Sequence, residues 1–180
     1  APYPAFAGGS SAYFLRSATA SAASATAYAT GVKTDNGNIA WKRNDPAAGQ
    51  LTALPDERRR RWGYSVGVVT TVAFNHATPA AFSSHNVSRG NYSAIAYEII
   101  LSTRPDVVVG GGHPDWGTTY FSAASLTALR ANTDYELVER VSGRNGGTDL
   151  QVAADGLAAG GRLFGLFGSS NGDFEAPVPH

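Results

Sequence analysis

The chain contains no cysteine and no methionine, and charged residues fill only 16% of its 180 positions. Without cysteine there can be no disulfide, no thiol nucleophile and no Cys-type zinc site. Without an initiating methionine, Ala1 is expected to be a processed or excised end. Basic and acidic residues balance at 14 each, for a formal charge of zero, so no long-range field draws the chain to nucleic acid or an acidic membrane. No apolar run approaches the roughly 20 residues that a membrane span requires. No charged-then-apolar leader opens the chain, so any signal peptide is expected to be gone already. What is present is 43% hydrophobic, enough to bury the core of one ordinary domain.

Glycine, proline and the apolar periodicity divide the chain. Residues 1–16 are rich in Pro, Gly and Ser and read as an irregular lead-in to a single α/β domain spanning 1–180. A helix is expected from Ala22 to Thr30, punctuated by Gly31. Residues 34–54 are turn-rich, with Asp35-Asn36-Gly37-Asn38 and Asp45-Pro46 as breakers. A short helix follows from Pro55 to Trp62, with acids early and arginines late to suit its dipole. Its run Arg58–Arg61 reads as a solvated helix end, because a helix turns the successive side chains to different faces.

Ser65–Val72 is an apolar, β-branched run suited to a buried strand. A helix from Tyr92 to about Ser102 should turn Ile95, Ile99, Ala94 and Leu101 to one face. Val107–Val109 reads as a short strand and Ser122–Ala131 as a helix with Leu126 and Leu129 inward. Leu137-Val138 forms a strand, Leu150–Ala159 a helix, and Arg162–Phe167 a last strand. Such alternation predicts an α/β fold, a mostly parallel central sheet with helices on both faces.

Three segments bear on chemistry. In Thr19-Ala20-Ser21-Ala22-Ala23-Ser24-Ala25-Thr26-Ala27, a serine stands at the mouth of an alanine-rich helix. Unpaired amides and a partial positive charge make such an end attractive to phosphate-like anions. A serine there is also a good helix cap, and from these residues alone both readings stay open. The second segment runs from Ala73-Phe74-Asn75-His76-Ala77-Thr78-Pro79-Ala80-Ala81-Phe82 to Ser88-Arg89. The third is Pro105-Asp106-Val107-Val108-Val109-Gly110-Gly111-Gly112-His113, whose glycines read as a tight turn, since they lack the order of a nucleotide loop.

Taken in order, these segments resemble the alkaline phosphatases. The first matches that family's nucleophile motif through Thr30-Gly31-Val32-Lys33-Thr34, with Ala20 departing where the family has aspartate. The second matches its His/Asp-Ala-Thr-Pro-Ala-Ala segment, with Thr78 and Arg89 at the family's spacing. The third matches its later strand and glycine turn.

The resemblance implies that Ser21 attacks phosphorus to form a phosphoserine, and that Arg89 clamps two phosphate oxygens with its planar fork. It implies that His76 and Thr78 belong to an auxiliary metal site, holding Mg2+ or a third Zn2+, beside a pair of Zn2+ ions. With Ala20 in place of the aspartate that orients the arginine, Arg89 should be freer. Thr78 could equally cap a helix begun by Pro79. His85 and His113 lack partners at ligand spacing.

The family's Gly-Asp-Gly-Met-Gly metal segment has no match before Ser21, and its other zinc ligands lie in segments the chain does not show. The chain therefore reads as an internal piece of an alkaline phosphatase that cannot build the zinc pair alone. The function implied for the whole protein is hydrolysis of phosphate monoesters to inorganic phosphate, in a periplasmic or secreted homodimer. A catalytically inactive fragment or interaction scaffold is the alternative. A related diesterase or sulfatase fits less well, because Arg89 suits the two free oxygens of a dianionic monoester.

Overall fold

A computed structural model describes residues 19–116 and 120–168; the lead-in expected at 1–16 lies outside them. In chain order the elements are α1 (Ser21–Thr30), α2 (Leu54–Trp62), β1 (Gly67–Ala73), α3 (Ala77–Ala80) and α4 (Tyr92–Glu98). A π-helical turn (Ile99–Thr103) extends α4, and β2 (Val107–Gly111) and a 3-10 turn (Pro114–Trp116) follow. The chain continues through α5 (Ala123–Arg130), β3 (Glu136–Glu139), α6 (Gly146–Gly156) and β4 (Leu163–Leu166).

The four strands form one sheet in the order β1-β2-β4-β3, with every pair parallel. Alternating side chains then face two apolar layers. Val108, Phe164 and Leu166 join residues of α1, α3, α4 and α5 in the larger core. Val109, Val138, Leu163 and Phe167 meet Leu150, Ala153 and Leu157, from α6 and the residue after it, on the opposite face. The expected α/β sandwich is thus present, and the sheet is wholly parallel. No helix among the described residues is long and apolar enough to cross a membrane.

Several elements differ from the sequence-based expectation, each for a local reason. The run read as a buried strand becomes β1, whose residues alternate between exposed and half-buried up to the buried Ala73. It lies at the edge of the sheet, with a partner on one side only among the described residues. The face expected of α4 rotates: Ile95, Ala96, Ile99 and Ile100 are buried, while Ala94 and Leu101 are exposed. The helix ends in the π turn, where Arg104 N–H donates to Ile99 O at 3.0 Å. Helix α6 begins earlier than expected because Asn145 Oδ1 accepts from the amides of Gly147 and Thr148.

One of the four helix-end arginines is not merely solvated. Arg59 donates to Thr103 O at 2.7 Å and Arg104 O at 3.0 Å, and pairs with Asp106 at 2.7 Å. Burial opposes ionisation of Asp106, but the Val66 amide and Arg59 outweigh it and lower its pKa. The π turn's last carbonyls and the entry to β2 are thereby clamped to α2.

Among the described residues β1 pairs on one side only; it carries no lysine or proline, and Val69 is 71% exposed. Parallel strands are normally covered on both faces, and apolar edges template association. Val69→Lys should reduce concentration-dependent light scattering by the chain and leave its stability within about 0.5 kcal/mol. Unchanged scattering would show that β1 does not drive association.

Candidate active site

No side chain among the described residues caps the N-terminus of α1. Ala20 occupies the cap position in an extended conformation, its methyl can accept no hydrogen bond, and the first turn holds no acidic residue. Ser21 is therefore the first helical residue rather than the cap, and its side chain is exposed. Ala22, Ala23, Ala25, Thr26 and Ala29 form the buried face, and α1 packs against α3. Thr26 Oγ1 anchors the helix by donating to Asn38 O at 3.1 Å and accepting from Ala40 N–H at 2.9 Å.

The same turn carries the neighbouring pieces. Asn36 Oδ1 accepts from Ala20 N–H at 3.4 Å, and Gly37 O accepts from Arg89 N–H at 2.7 Å. Gly37 has φ +94°, a conformation that favours glycine. Ile39 and Asn86 exchange both backbone hydrogen bonds at 2.8 Å, fastening the Arg89 loop to this turn. Residues 20 and 89, far apart in sequence, thus hang from consecutive positions of one turn.

Arg89 has one side-chain partner among the described residues. Its Nη2 lies 2.9 Å from His76 Nε2. A guanidinium only donates, so Nε2 accepts and the imidazole proton resides on Nδ1. The pair leaves Nε–H, both Nη1 hydrogens and one Nη2 hydrogen of Arg89 for a ligand. No hydrogen bond among the described residues joins this pair to Ser21 or Thr78.

Thr78 is placed elsewhere. Helix α3 begins at Ala77 with His76 at its cap position, so Thr78 is not the cap. Its exposed side chain lines a shallow cleft of about 270 Å³ with Pro55, Pro79, Phe82 and the start of β1. His76 instead turns its Nε2 toward a cation. No group of three or more His, Cys, Asp or Glu among the described residues could hold a metal ion. Zinc takes three or four protein ligands, so the described residues do not by themselves supply the donors of a zinc pair.

The other two histidines among the described residues, His85 and His113, have partners that lie too far along the chain for spacing to reveal. His113 is buried, with Nε2 2.9 Å from Glu139 Oε1 and Nδ1 accepting from Asp115 N–H at 3.2 Å. Arg130 binds the same carboxylate through Nε and Nη2. The glycines before His113 do not form the expected tight turn: Gly110 and Gly111 end β2, and only Gly112 has positive φ.

His85 sits between two carboxylates, 2.8 Å from Glu98 and 3.6 Å from Asp56. Burial opposes its protonation, but Asp56 and Glu98 outweigh this and push its pKa from 6.5 up to about 9.

An exposed serine at the start of α1 and an arginine loop fastened to the same turn accompany a wholly parallel sheet. The alkaline phosphatase family model matches residues 6–145, and the chain belongs to that family. Alkaline phosphatase 4 of Bacillus subtilis (strain 168) is 37% identical over 152 residues, covering 81% of this chain and 31% of its own. The crystal structure of a cold-active alkaline phosphatase from Shewanella sp. superposes with TM-score 0.66 at 37% identity, covering 88% of this chain and 34% of its own. A TAB5 alkaline phosphatase variant with His replaced by Asp, described with Mg bound in its M3 site, shares the fold at TM-score 0.64 and 22% identity, covering 87% of this chain and 40% of its own. The chain thus spans about a third of the length of these relatives.

The raised pKa of His85 has a definite sign. Its contribution to stability is complete below pH 6.5 and lost as pH rises through about 9. The difference in unfolding free energy between the parent and His85→Gln should be largest below pH 6.5 and fall by on the order of 3 kcal/mol as pH rises past about 9. A difference independent of pH would show that the His85 charge is not stabilising.

Proposed function

We propose that this chain supplies the nucleophile and phosphate clamp of a phosphomonoesterase, with Ser21 and Arg89 as the residues that meet the substrate. The carrying observation is that the backbone around both residues hangs from Asn36-Gly37, beside an uncapped helix N-terminus.

Arg89 would grip two non-bridging oxygens through its remaining N–H groups, and the amides of α1 would face a third. Ser21 Oγ then attacks phosphorus, an O–P bond forms, the ester O–P bond breaks, and the alcohol departs with a proton. Water attack on the phosphoserine returns Ser21 and releases inorganic phosphate. An unassisted serine hydroxyl is a weak nucleophile. The activating metals named by the resemblance, two Zn2+ and Mg2+ or a third Zn2+, would need donors beyond the described residues. A periplasmic or secreted homodimer is part of the same proposal, supported by family membership alone.

Titration of the chain with inorganic phosphate tests the clamp. Arg89→Ala should weaken binding at least tenfold, since a charge-assisted bidentate contact contributes about 1.5–3 kcal/mol. Ser21→Ala should leave phosphate affinity within about twofold and, in the full-length polypeptide, abolish acid-stable phosphate incorporation. Equal affinity of the parent and Arg89→Ala would overturn the assignment.

A further inference from the structure

Asn75 is the one residue of the strand-to-helix segment whose side chain is both polar and fully buried, at 0% exposure. It stands between the end of β1 and His76. Its Nδ2 donates to two backbone carbonyls, Tyr92 O at 3.0 Å and Tyr120 O at 2.6 Å. Because both partners only accept, the amide orientation is dictated: nitrogen faces them and Oδ1 faces away. Oδ1 has no hydrogen-bond partner among the described residues. A buried orphan acceptor is costly, so the two bonds made by nitrogen must be worth that cost.

Those bonds close a ring around the candidate site. Tyr92 opens α4, three residues after Arg89. The Tyr120 ring meets Tyr92 edge-on at 4.7 Å and His76 edge-on at 5.6 Å. His76 in turn meets Arg89 at 2.9 Å. From Asn75 the circuit passes through the Tyr92 carbonyl to the Arg89 loop, and through Tyr120 to the His76 ring. Remove the amide and both carbonyls lose this shared donor, and with it the link between the Tyr92 and Tyr120 backbones.

We infer that Asn75 is a positioning residue: by tying Tyr92 O and Tyr120 O together, it sets the His76 ring and through it the guanidinium of Arg89. The role deepens the phosphate-clamp reading and depends on it only for its effect on affinity.

The 180-residue chain, two variants and a control test this. The His76 ring protons and the Arg89 guanidinium N–H are followed by NMR, and inorganic phosphate is then titrated. Asn75→Ala should move the His76 ring signals away from their Tyr120-shifted positions, broaden the Arg89 signal and weaken phosphate binding at least tenfold. Val138→Ala, a truncation in the apolar layer on the other face of the sheet, controls for lost stability and should leave all three unchanged. If Asn75→Ala does not fold, Asn75→Ser, which keeps one donor, should give intermediate shifts and an intermediate loss of affinity. The proposal is overturned if the Asn75 variants match Val138→Ala in ring shifts and guanidinium signal. Should the parent bind no phosphate, the clamp reading fails, and the ring and guanidinium signals still decide the role of Asn75.

Discussion

The close crossing of Phe74 over Gly110 is the constraint on which the rest of the site depends. A Cβ at Gly110 would lie 2.8–3.0 Å from Phe74 atoms, backbone included, so only glycine permits the approach. Phe74 N–H donates to Gly111 O at 3.1 Å, and the β1–β2 register shifts just before this point. The Phe74 ring then enters the core between Phe121 and Phe164, meeting each edge-on at 5.1 Å. With Phe74 anchored there, the next residues leave the sheet on a fixed course. Asn75 points inward, His76 heads α3, and α3 offers Ala77 and Ala80 to α1.

Small residues do the same work elsewhere in this corner. The alanines of α1 and α3 allow two helices to approach closely, and Thr26 sews α1 to the turn at 36–40. That turn binds the Ala20 amide on one side and the Arg89 amide on the other. The Asn36 side chain thus holds the residue before Ser21, and the Gly37 carbonyl holds Arg89. The one side-chain bond on the clamp, from His76, takes a single hydrogen of the guanidinium. No group of three or more His, Cys, Asp or Glu that could hold a metal ion is brought together among the described residues.

Charge in this chain is sparse but seldom idle. Arg59 holds the end of the π turn and Asp106, His85 bridges α2 and α4 through Asp56 and Glu98, and His113 links the end of β2 to Glu139. For Glu139, burial opposes ionisation, yet Arg130 and His113 hold its pKa below the usual value. Each of these contacts joins segments that the sheet alone would leave adjacent but unfastened.

The sequence by itself determined the element types, the α/β class and the family, because glycine punctuation, β-branched runs and an ordered set of motifs are local signals. Ser21, His76, Thr78 and Arg89 were legible as candidates for that reason. Only the tertiary structure decided that β1 pairs on one side only among the described residues, that Arg89 meets His76, and that Thr78 lines a cleft beside β1. It alone showed Asn75 buried between two carbonyls 17 and 45 residues away. Such contacts depend on which side chains the sheet order and helix packing bring together, and residue spacing along the chain carries no record of that.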